Sequence, residues 1–255
     1  NSYNNVETYG IVNNAGTAII DGGEVNTYNS TNAMGLRVNS TTTTTDVVYT
    51  VYGNSNVARG AYIDNGNLTV ESGLFDVQNG TSGFGFQINS GTLTWNDGTV
   101  TVNGPTTGYG IHMNTGTANL NGGSATVNAT TTGYGIQIAN GTINYVSGSV
   151  IANATTTYGI HMTNGTVNLG VEDGSGMDSA DVSITNPHIE AIGTTTGIGL
   201  TMGSGTLNYF DGIIIGSTNS RTKGDIISYI EKNYQVKTTI DPETGYEISV
   251  LEFIK

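Results

Sequence analysis

Glycine recurs at a nearly constant spacing along this chain, and that repeat constrains the fold more than any other feature. Each of these glycines stands in an aromatic-Gly-apolar setting or a degenerate form of it. They are Gly10, Gly35, Gly60, Gly85, Gly110, Gly135, Gly159 and Gly199. The interval is constant from Gly10 to Gly135, one residue shorter to Gly159 and much longer to Gly199. A fixed period of about 20 to 50 residues is typical of solenoids and other repeat architectures.

Two further glycines divide most repeats into three parts. With the first glycine as position 0, they fall at positions +6 and +13, as in Gly116 and Gly123. Because Gly adopts positive φ freely, the three glycines predict chain reversals at regular intervals. Between them, apolar and polar residues alternate, as at Ile111 and Met113. Such short period-2 segments are typical of strands, so each repeat predicts three of them.

Stacked copies of this repeat predict an all-β fold, a three-faced parallel β-helix over residues 1–216. One short strand cannot bury its apolar face alone, whereas strands stacked about 4.8 Å apart enclose a continuous core. About eight coils, each of about 25 residues, account for this part of the chain. The coil that begins at Gly35 carries Thr41 and Val48 where glycines are expected, so it predicts a variant coil that regains register at Gly60.

Two consecutive repeats carry a family resemblance. They read GYGIHMNTGTANLNGGSATVNA at 108–129 and GYGIQIANGTINYVSGSVIANA at 133–154. The region resembles the right-handed parallel β-helix repeats of bacterial surface and secreted proteins, including autotransporter passengers and clostridial repeat proteins. GTLNYFDGIIIG at 205–216, followed by YEISVLEF at 246–253, is similar to the segment that closes such regions in Gram-positive surface proteins. The resemblance implies the architecture and an exported context, and it brings no catalytic motif.

Charge is scarce and unevenly placed. Residues 1–216 hold 14 Asp and Glu against two Arg, and residues 217–255 hold six acidic against five basic residues, which together give the net charge of −13. The change in composition predicts a boundary at Gly216, with a capping or linker segment at 217–255. An acidic body with almost no Lys excludes nucleic acid and anionic membrane surfaces as expected partners. The absence of Cys and of a long apolar run excludes disulfides and predicts no membrane insertion.

Outward positions repeat as well. Position +7 is usually Thr, as in Thr117 and Thr142, and position +9 changes from Thr94 to Asn119 and Asn144. Stacked coils would place these side chains in ladders that stabilise the rod through packing and amide hydrogen bonds. A flat array of Thr hydroxyls that binds an ordered lattice, such as ice or crystalline polysaccharide, is an alternative. The change from Thr to Asn along the rod weakens that alternative.

Two outward columns supply the candidate ligand-binding residues. Position −1 carries an aromatic series that includes Tyr109, Tyr134 and Tyr158, and position +2 carries His112 and His161. We expect the aromatic residues to stack, and they become a carbohydrate platform only if their ring faces turn outward. The two histidines lie two coils apart, about 9.6 Å, which is too far to share a metal ion. We therefore expect them to be exposed ladder residues.

The step from Gly159 to Gly199 is longer than the others by about 15 residues, which fall near 170–186. Four acidic residues are concentrated there, namely Glu172, Asp173, Asp178 and Asp181. Oxygen-rich loops can hold Ca²⁺, but the spacing matches neither an EF-hand nor the nonapeptide calcium repeat. A solvated acidic loop is the first expectation and a calcium site the alternative; no other cofactor is expected.

Catalysis has little support in the sequence. A polysaccharide lyase or hydrolase on this fold needs clustered carboxylates, or a carboxylate with a basic residue. Asp21, Asp97 and Asp211 occupy equivalent turns, but their coils lie far apart along the rod. We therefore expect a protein that is not an enzyme.

The two ends of the repeat region differ. The segments Tyr234–Ile240 and Tyr246–Glu252, joined by a turn with Pro242 and Gly245, predict a β-hairpin that caps the last coil. No comparable cap is evident before Gly10, which suggests either a neighbour on the first coil or a truncated chain. An open coil edge can template the pairing of a second molecule.

These features predict a non-enzymatic structural or adhesive module, located outside the cell or on its surface, as a stalk, adhesin or fibre subunit of a bacterial surface protein. Its expected partners are copies of itself, end to end or side by side, or glycans of a host or cell surface. One alternative is a filament subunit that stacks through the first coil. Another is a carbohydrate-binding or carbohydrate-active β-helix protein.

Overall fold

A computed structural model describes residues 7–171, 187–221, 229–230 and 234–254. Within these ranges the chain forms 24 strands and no helix. The first twelve strands are β1 Glu7–Asn13, β2 Thr17–Asp21, β3 Glu24–Val38, β4 Thr41–Thr45, β5 Val47–Ile63, β6 Asn67–Val70, β7 Gly73–Asn79, β8 Ser82–Ile88, β9 Thr92–Trp95, β10 Thr99–Asn103, β11 Thr107–Met113 and β12 Thr117–Leu120. The remaining strands are β13 Ser124–Asn128, β14 Thr132–Ile138, β15 Thr142–Tyr145, β16 Ser149–Met162, β17 Thr166–Leu169, β18 His188–Met202, β19 Thr206–Tyr209, β20 Ile213–Gly216, β21 Asn219–Arg221, β22 Tyr229–Ile230, β23 Tyr234–Ile240 and β24 Glu247–Phe253.

The strands form a parallel β-solenoid of about eight turns, which confirms the predicted fold class. Face 1 holds the strand around position 0, such as β8, β11 and β14. Face 2 holds the next strand of each coil, such as β9, β12 and β15, and face 3 the last, such as β7, β10 and β13. Four long strands, β3, β5, β16 and β18, run from face 3 into face 1 of the following coil. Faces 1 and 3 therefore share one 15-stranded sheet, and face 2 is a separate nine-stranded sheet.

Equivalent residues of neighbouring coils pair directly. Tyr109 pairs with Tyr134, and Thr117 pairs with Thr142, each one repeat further along the chain. The predicted variant coil is also present. Thr41 pairs with Thr17, one residue short of the regular interval, and with Asn67, one residue beyond it, so this coil lacks one residue at its first corner. The regular interval is regained where Arg59 pairs with Phe84.

The repeat glycines serve two different purposes, which corrects the expectation that all three mark reversals. At positions +6 and +13 the glycines other than Gly66 have positive φ, with 106° at Gly116 and 81° at Gly123. The glycines at position 0 lie inside strands. A Cβ atom on Gly135 would lie 2.6 Å from the carbonyl oxygen of Gly159 in the next coil. Position 0 is therefore Gly because adjacent coils pass too closely there for any side chain.

The core is a single column of inward side chains that runs through the coils. Its largest members include Trp95, Tyr49, Tyr145, Tyr209 and Phe75, each at most 1% exposed. The polar atoms of the aromatic residues at position +10 bond to the nearby corner. Tyr145 donates from its hydroxyl to the Gly148 carbonyl at 3.2 Å, and the Trp95 indole donates to the Asp97 carbonyl at 2.8 Å. The rings of Tyr145 and Trp95 thus fill the core while their own polar atoms remain hydrogen-bonded.

The extra residues between Gly159 and Gly199 leave the solenoid register intact. Asn168 still pairs with Asn208, and Ser149 pairs with His188. The insertion therefore falls between Gly170 and His188. The candidate calcium ligands Glu172, Asp173, Asp178 and Asp181 lie outside the described residues.

The C-terminal hairpin is present as predicted. β23 and β24 pair antiparallel, and β24 also pairs antiparallel with β20. Leu251 of β24 is fully buried, and the Tyr209 hydroxyl donates to the Ser249 carbonyl at 3.1 Å. Parallel stacking extends past Gly216, because β21 pairs with β18 and β22 pairs with β19.

Candidate functional site

Two adjacent columns of side chains project outward from face 1. The ring column consists of Phe84, Tyr109, Tyr134 and Tyr158 at position −1. The side column consists of Gln87, His112, Gln137 and His161 at position +2. In strand β11 both Gly110 and Ile111 are buried, so the chain bends there. That bend places positions −1 and +2 on the outside, next to each other.

The ring column is one continuous π-stack along the rod. Successive ring centroids lie 4.6, 5.0 and 5.2 Å apart, with interplanar angles of 3°, 5° and 14°. These distances match the spacing of the coils, so each ring covers the faces of its neighbours. Partial burial and the neighbouring phenol raise the pKa of Tyr109 and of Tyr134 above the usual value for tyrosine. Both hydroxyls therefore remain protonated at neutral pH.

The two histidines of the side column are half-buried, which corrects the expectation that they are exposed. His112 packs edge-on against Phe84 and Tyr109, with centroids 5.4 and 5.1 Å away. His161 contacts Tyr134 and Tyr158 in the same way, at 5.6 and 5.3 Å. Burial lowers the pKa of both imidazoles, and the nearby Arg59 charge lowers the pKa of His112 further. Both rings are therefore neutral at neutral pH.

The solenoid thus brings the five sequence-predicted ligand residues, Tyr109, Tyr134, Tyr158, His112 and His161, into one patch. His112 and His161 flank Gln137 on successive rungs, so they do not converge on one point. Between Phe84 and Tyr158 each ring covers the faces of its neighbours, so no face inside the stack is open for a sugar ring. Ile198 follows Tyr158 at the same position of the next coil. The patch therefore offers ring edges, imidazoles and amides to a ligand.

Two arginines, Arg37 and Arg59, continue the patch toward the first coil. They were not predicted from the sequence as candidate ligand-binding residues. Arg59 occupies the −1 position next to Phe84, and Arg37 occupies the +2 position next to Tyr62. Both guanidinium groups lie over the Tyr62 ring, with centroid distances of 5.3 and 5.9 Å. The sequence could have indicated them, since they are the only Lys or Arg residues in 1–216 and both fall at outward repeat positions.

Many of the other outward amides are hydrogen-bonded to one another. On face 2 the Asn144 side chain donates to Asn119 at 2.8 Å, Asn168 donates to Asn144 at 2.8 Å, and Asn208 donates to Asn168 at 2.7 Å. A corner of the coil has a second ladder, in which Asn153 donates to Asn128 at 3.0 Å and Asn128 to Asn103 at 2.8 Å. These contacts confirm the predicted Asn ladders.

The turn carboxylates bond within their own loops. Asp97 accepts from the backbone N–H of Gly98 at 2.7 Å, and Asp211 accepts from that of Gly212 at 2.6 Å. Across the described ranges, no group of three or more His, Asp or Glu side chains is placed to hold a metal ion. No helix long and apolar enough to cross a membrane occurs in the same part of the chain.

Comparison with protein-family models, with curated proteins and with solved structures finds no match for this chain.

Proposed function

We propose that this chain is a non-enzymatic structural module of a bacterial surface protein, located outside the cell or on its surface, where it serves as a stalk or adhesin. The observation that supports this most directly is that outward side chains bond to their counterparts in neighbouring coils. The Asn ladder of face 2 runs through four coils, from Asn119 to Asn208, and continues across the insertion. Such ladders hold a rod together without charge pairs or metal ions.

Most carboxylates of the described residues are engaged in structural contacts, which favours a non-enzymatic role. Asp64 accepts from Arg37 and from Asn89, at 2.8 and 3.0 Å. Asp76 accepts from Thr101 and Gln78, at 2.7 and 2.6 Å. General acid and base catalysis needs a carboxyl group that is free to exchange its proton with a substrate.

The test is a panel of neutral and acidic polysaccharides incubated with the purified chain, with reducing ends and unsaturated products measured. We expect no turnover above that of a heat-denatured control. Turnover that disappears in Asp97→Asn, with the thermal midpoint unchanged, would make the protein an enzyme. Binding to host cells or glycan arrays distinguishes an adhesin from a purely structural stalk.

The edges of the 15-stranded sheet favour a second candidate, a head-to-tail filament. Among the described residues, β1 pairs only with β3, and β23 pairs only with β24. Ile19, on the first strand of face 2, is 76% exposed. Contact between β23 of one copy and β1 of the next would continue the sheet, and such a heterologous contact produces filaments. A monodisperse monomer at high concentration, with no fibres by electron microscopy, excludes this candidate.

A further inference from the structure

Arg59 is a half-buried cation held between two aromatic rings. Its guanidinium carbon lies 5.3 Å from the Tyr62 centroid and 5.6 Å from the Phe84 centroid. Its Nε–H donates to the side-chain oxygen of Gln87. The rings and the amide therefore fix the plane of the guanidinium group. A fixed, planar guanidinium can offer two parallel N–H donors to a carboxylate.

The neighbouring arginine has an acidic partner, and Arg59 does not. Arg37 forms an ion pair with Asp64 at 2.8 Å. No carboxylate among the described residues lies within 4.0 Å of the Arg59 guanidinium. Burial lowers the pKa of Arg59 by more than the nearby Tyr62, Glu7 and Tyr9 raise it, and the group remains charged at neutral pH. Cation–π contact offsets only part of the cost of burying a charge, and a bound anion would offset the rest.

The surroundings of Arg59 restrict the kind of anion. Residues 1–216 carry a net charge of −12, from 14 acidic residues and two arginines, so a polyanion would be repelled by most of the rod. The positions that follow along face 1 are neutral and polar, beginning with Gln87 and His112. Amides and neutral imidazoles hydrogen-bond to hydroxyl groups. A suitable ligand therefore combines an isolated carboxylate with neutral hydroxyl-bearing neighbours.

We propose that Arg59, supported by Tyr62, Phe84 and Gln87, binds the carboxylate of an acidic sugar within an otherwise largely neutral glycan. The adjoining residue of the glycan lies along the side column, at Gln87 and His112. This assignment goes beyond the structural role, which a rod without any ligand would still fulfil.

The variant Arg59→Tyr separates binding from packing, because the same column carries tyrosine at 109, 134 and 158. A tyrosine there extends the ring stack and keeps the fold. Isothermal titration uses an oligosaccharide in which a single uronic acid lies between neutral N-acetylhexosamines. Its neutral N-acetylhexosamine counterpart, heparin and an acidic peptide serve as comparison ligands. We expect binding of the uronic acid oligosaccharide alone, weakened about 10- to 100-fold in Arg59→Tyr.

Two further variants sharpen the assignment. Arg59→Lys keeps the charge but loses the planar pair of donors, so its affinity should fall between those of the native chain and Arg59→Tyr. Lys237→Gln removes a distant cation, which is ion-paired with Glu252 at 2.6 Å, and should bind like the native chain. The thermal midpoint of each variant shows that the fold is retained.

The proposal is overturned if Arg59→Tyr binds as the native chain does, if the neutral oligosaccharide binds equally well, or if no acidic oligosaccharide binds at millimolar concentration. Binding of the acidic peptide alone would assign the site to a protein partner and overturn the sugar assignment. None of these outcomes bears on the absence of turnover, so failure of this site is distinguishable from failure of the structural proposal.

Discussion

At the scale of single residues, two different physical constraints keep glycine in the repeat. At position 0 the constraint is space, since the next coil's carbonyl oxygen occupies the volume that a Cβ would need. At positions +6 and +13 the left-handed backbone conformation is a second constraint, and inside the rod it adds to the lack of space, since a Cβ on Gly98 or Gly141 would also lie 2.6 Å from a carbonyl oxygen of the preceding coil. Gly16, in the first coil, has the conformational constraint alone. The two constraints predict different losses of stability when Gly is replaced by Ala. A clash with fixed backbone cannot relax, whereas a strained φ costs a limited amount of free energy.

Gly135→Ala should therefore destabilise the chain more than Gly16→Ala. The first places a Cβ 2.6 Å from the Gly159 carbonyl oxygen and costs about 3 kcal/mol or more. The second has nothing within 4 Å and φ of +76°, so it costs about 1 to 2 kcal/mol. Thermal midpoints of the two variants test the order. Equal midpoints would contradict the close-contact explanation for position 0.

His112 and His161 should make stability depend on pH in the mildly acidic range. Their pKa values in the folded chain are lowered by burial, so the unfolded chain binds more protons. Their contribution is complete above about pH 6.5, the usual pKa of histidine, and is lost as the pH falls from there. The Arg37 contact holds the pKa of Asp64 below its usual value, so its contribution is lost only at lower pH.

The variants His112→Gln and His161→Gln test this, because glutamine already occupies the same column at 87 and 137. The thermal midpoint of the native chain should fall between pH 8 and pH 5, and that of the double variant should fall less. A double variant with the same pH dependence as the native chain would assign the effect to other groups.

At the scale of elements, the ladders join strands that are distant in sequence. Asn144 on β15 bonds to Asn119 on β12 and to Asn168 on β17, whereas Asn208 on β19 bonds to Asn168. An interior ladder residue therefore holds two interfaces between coils. Each amide hydrogen bond contributes about 0.5 to 1.5 kcal/mol.

Asn144→Ala should accelerate amide hydrogen exchange in β12, β15 and β17 together, because it removes both bonds. Asn144→Thr is the matched control, since Thr94 occupies the same position in an earlier coil and packs well on a strand. We expect smaller changes for the control. Acceleration confined to β15 would mean that the ladder does not couple neighbouring coils.

The strands were predictable from the sequence, and several details of the site were not. The alternation of apolar residues between glycines indicates which side chains face inward. The three faces of the solenoid and the terminal hairpin could therefore be predicted from the sequence. The orientation of the Tyr109 and Tyr134 rings depends on packing against the next coil, which no local pattern records. The half-burial of His112 and the stacking of Arg59 depend on the bend at position 0, which places two separate columns side by side.

At the scale of the whole molecule, the solenoid is a series of nearly identical interfaces. Each coil contacts only the coils on either side, so its stability is close to a sum of coil and interface contributions. The interval between paired residues is the same on all three faces of the central coils, as Thr107 with Ser82, Thr117 with Thr92 and Thr99 with Ser124 show. Removing a complete coil should therefore join two surfaces that already match.

Deletion of residues 107–131 removes β11, β12 and β13 and leaves every remaining strand in phase. Ser82 would then pair with Thr132 in place of the deleted Thr107. In the same way, Thr99 would pair with Ser149 in place of the deleted Ser124. Small-angle scattering should show a rod shorter by about 4.8 Å, with a similar thermal midpoint. Deletion of residues 107–118 is the control, because half a coil sets face 1 strands against other faces and should abolish cooperative unfolding. If the complete-coil deletion also failed to fold, stability would depend on contacts beyond nearest neighbours, and the rod could not lengthen or shorten by whole repeats.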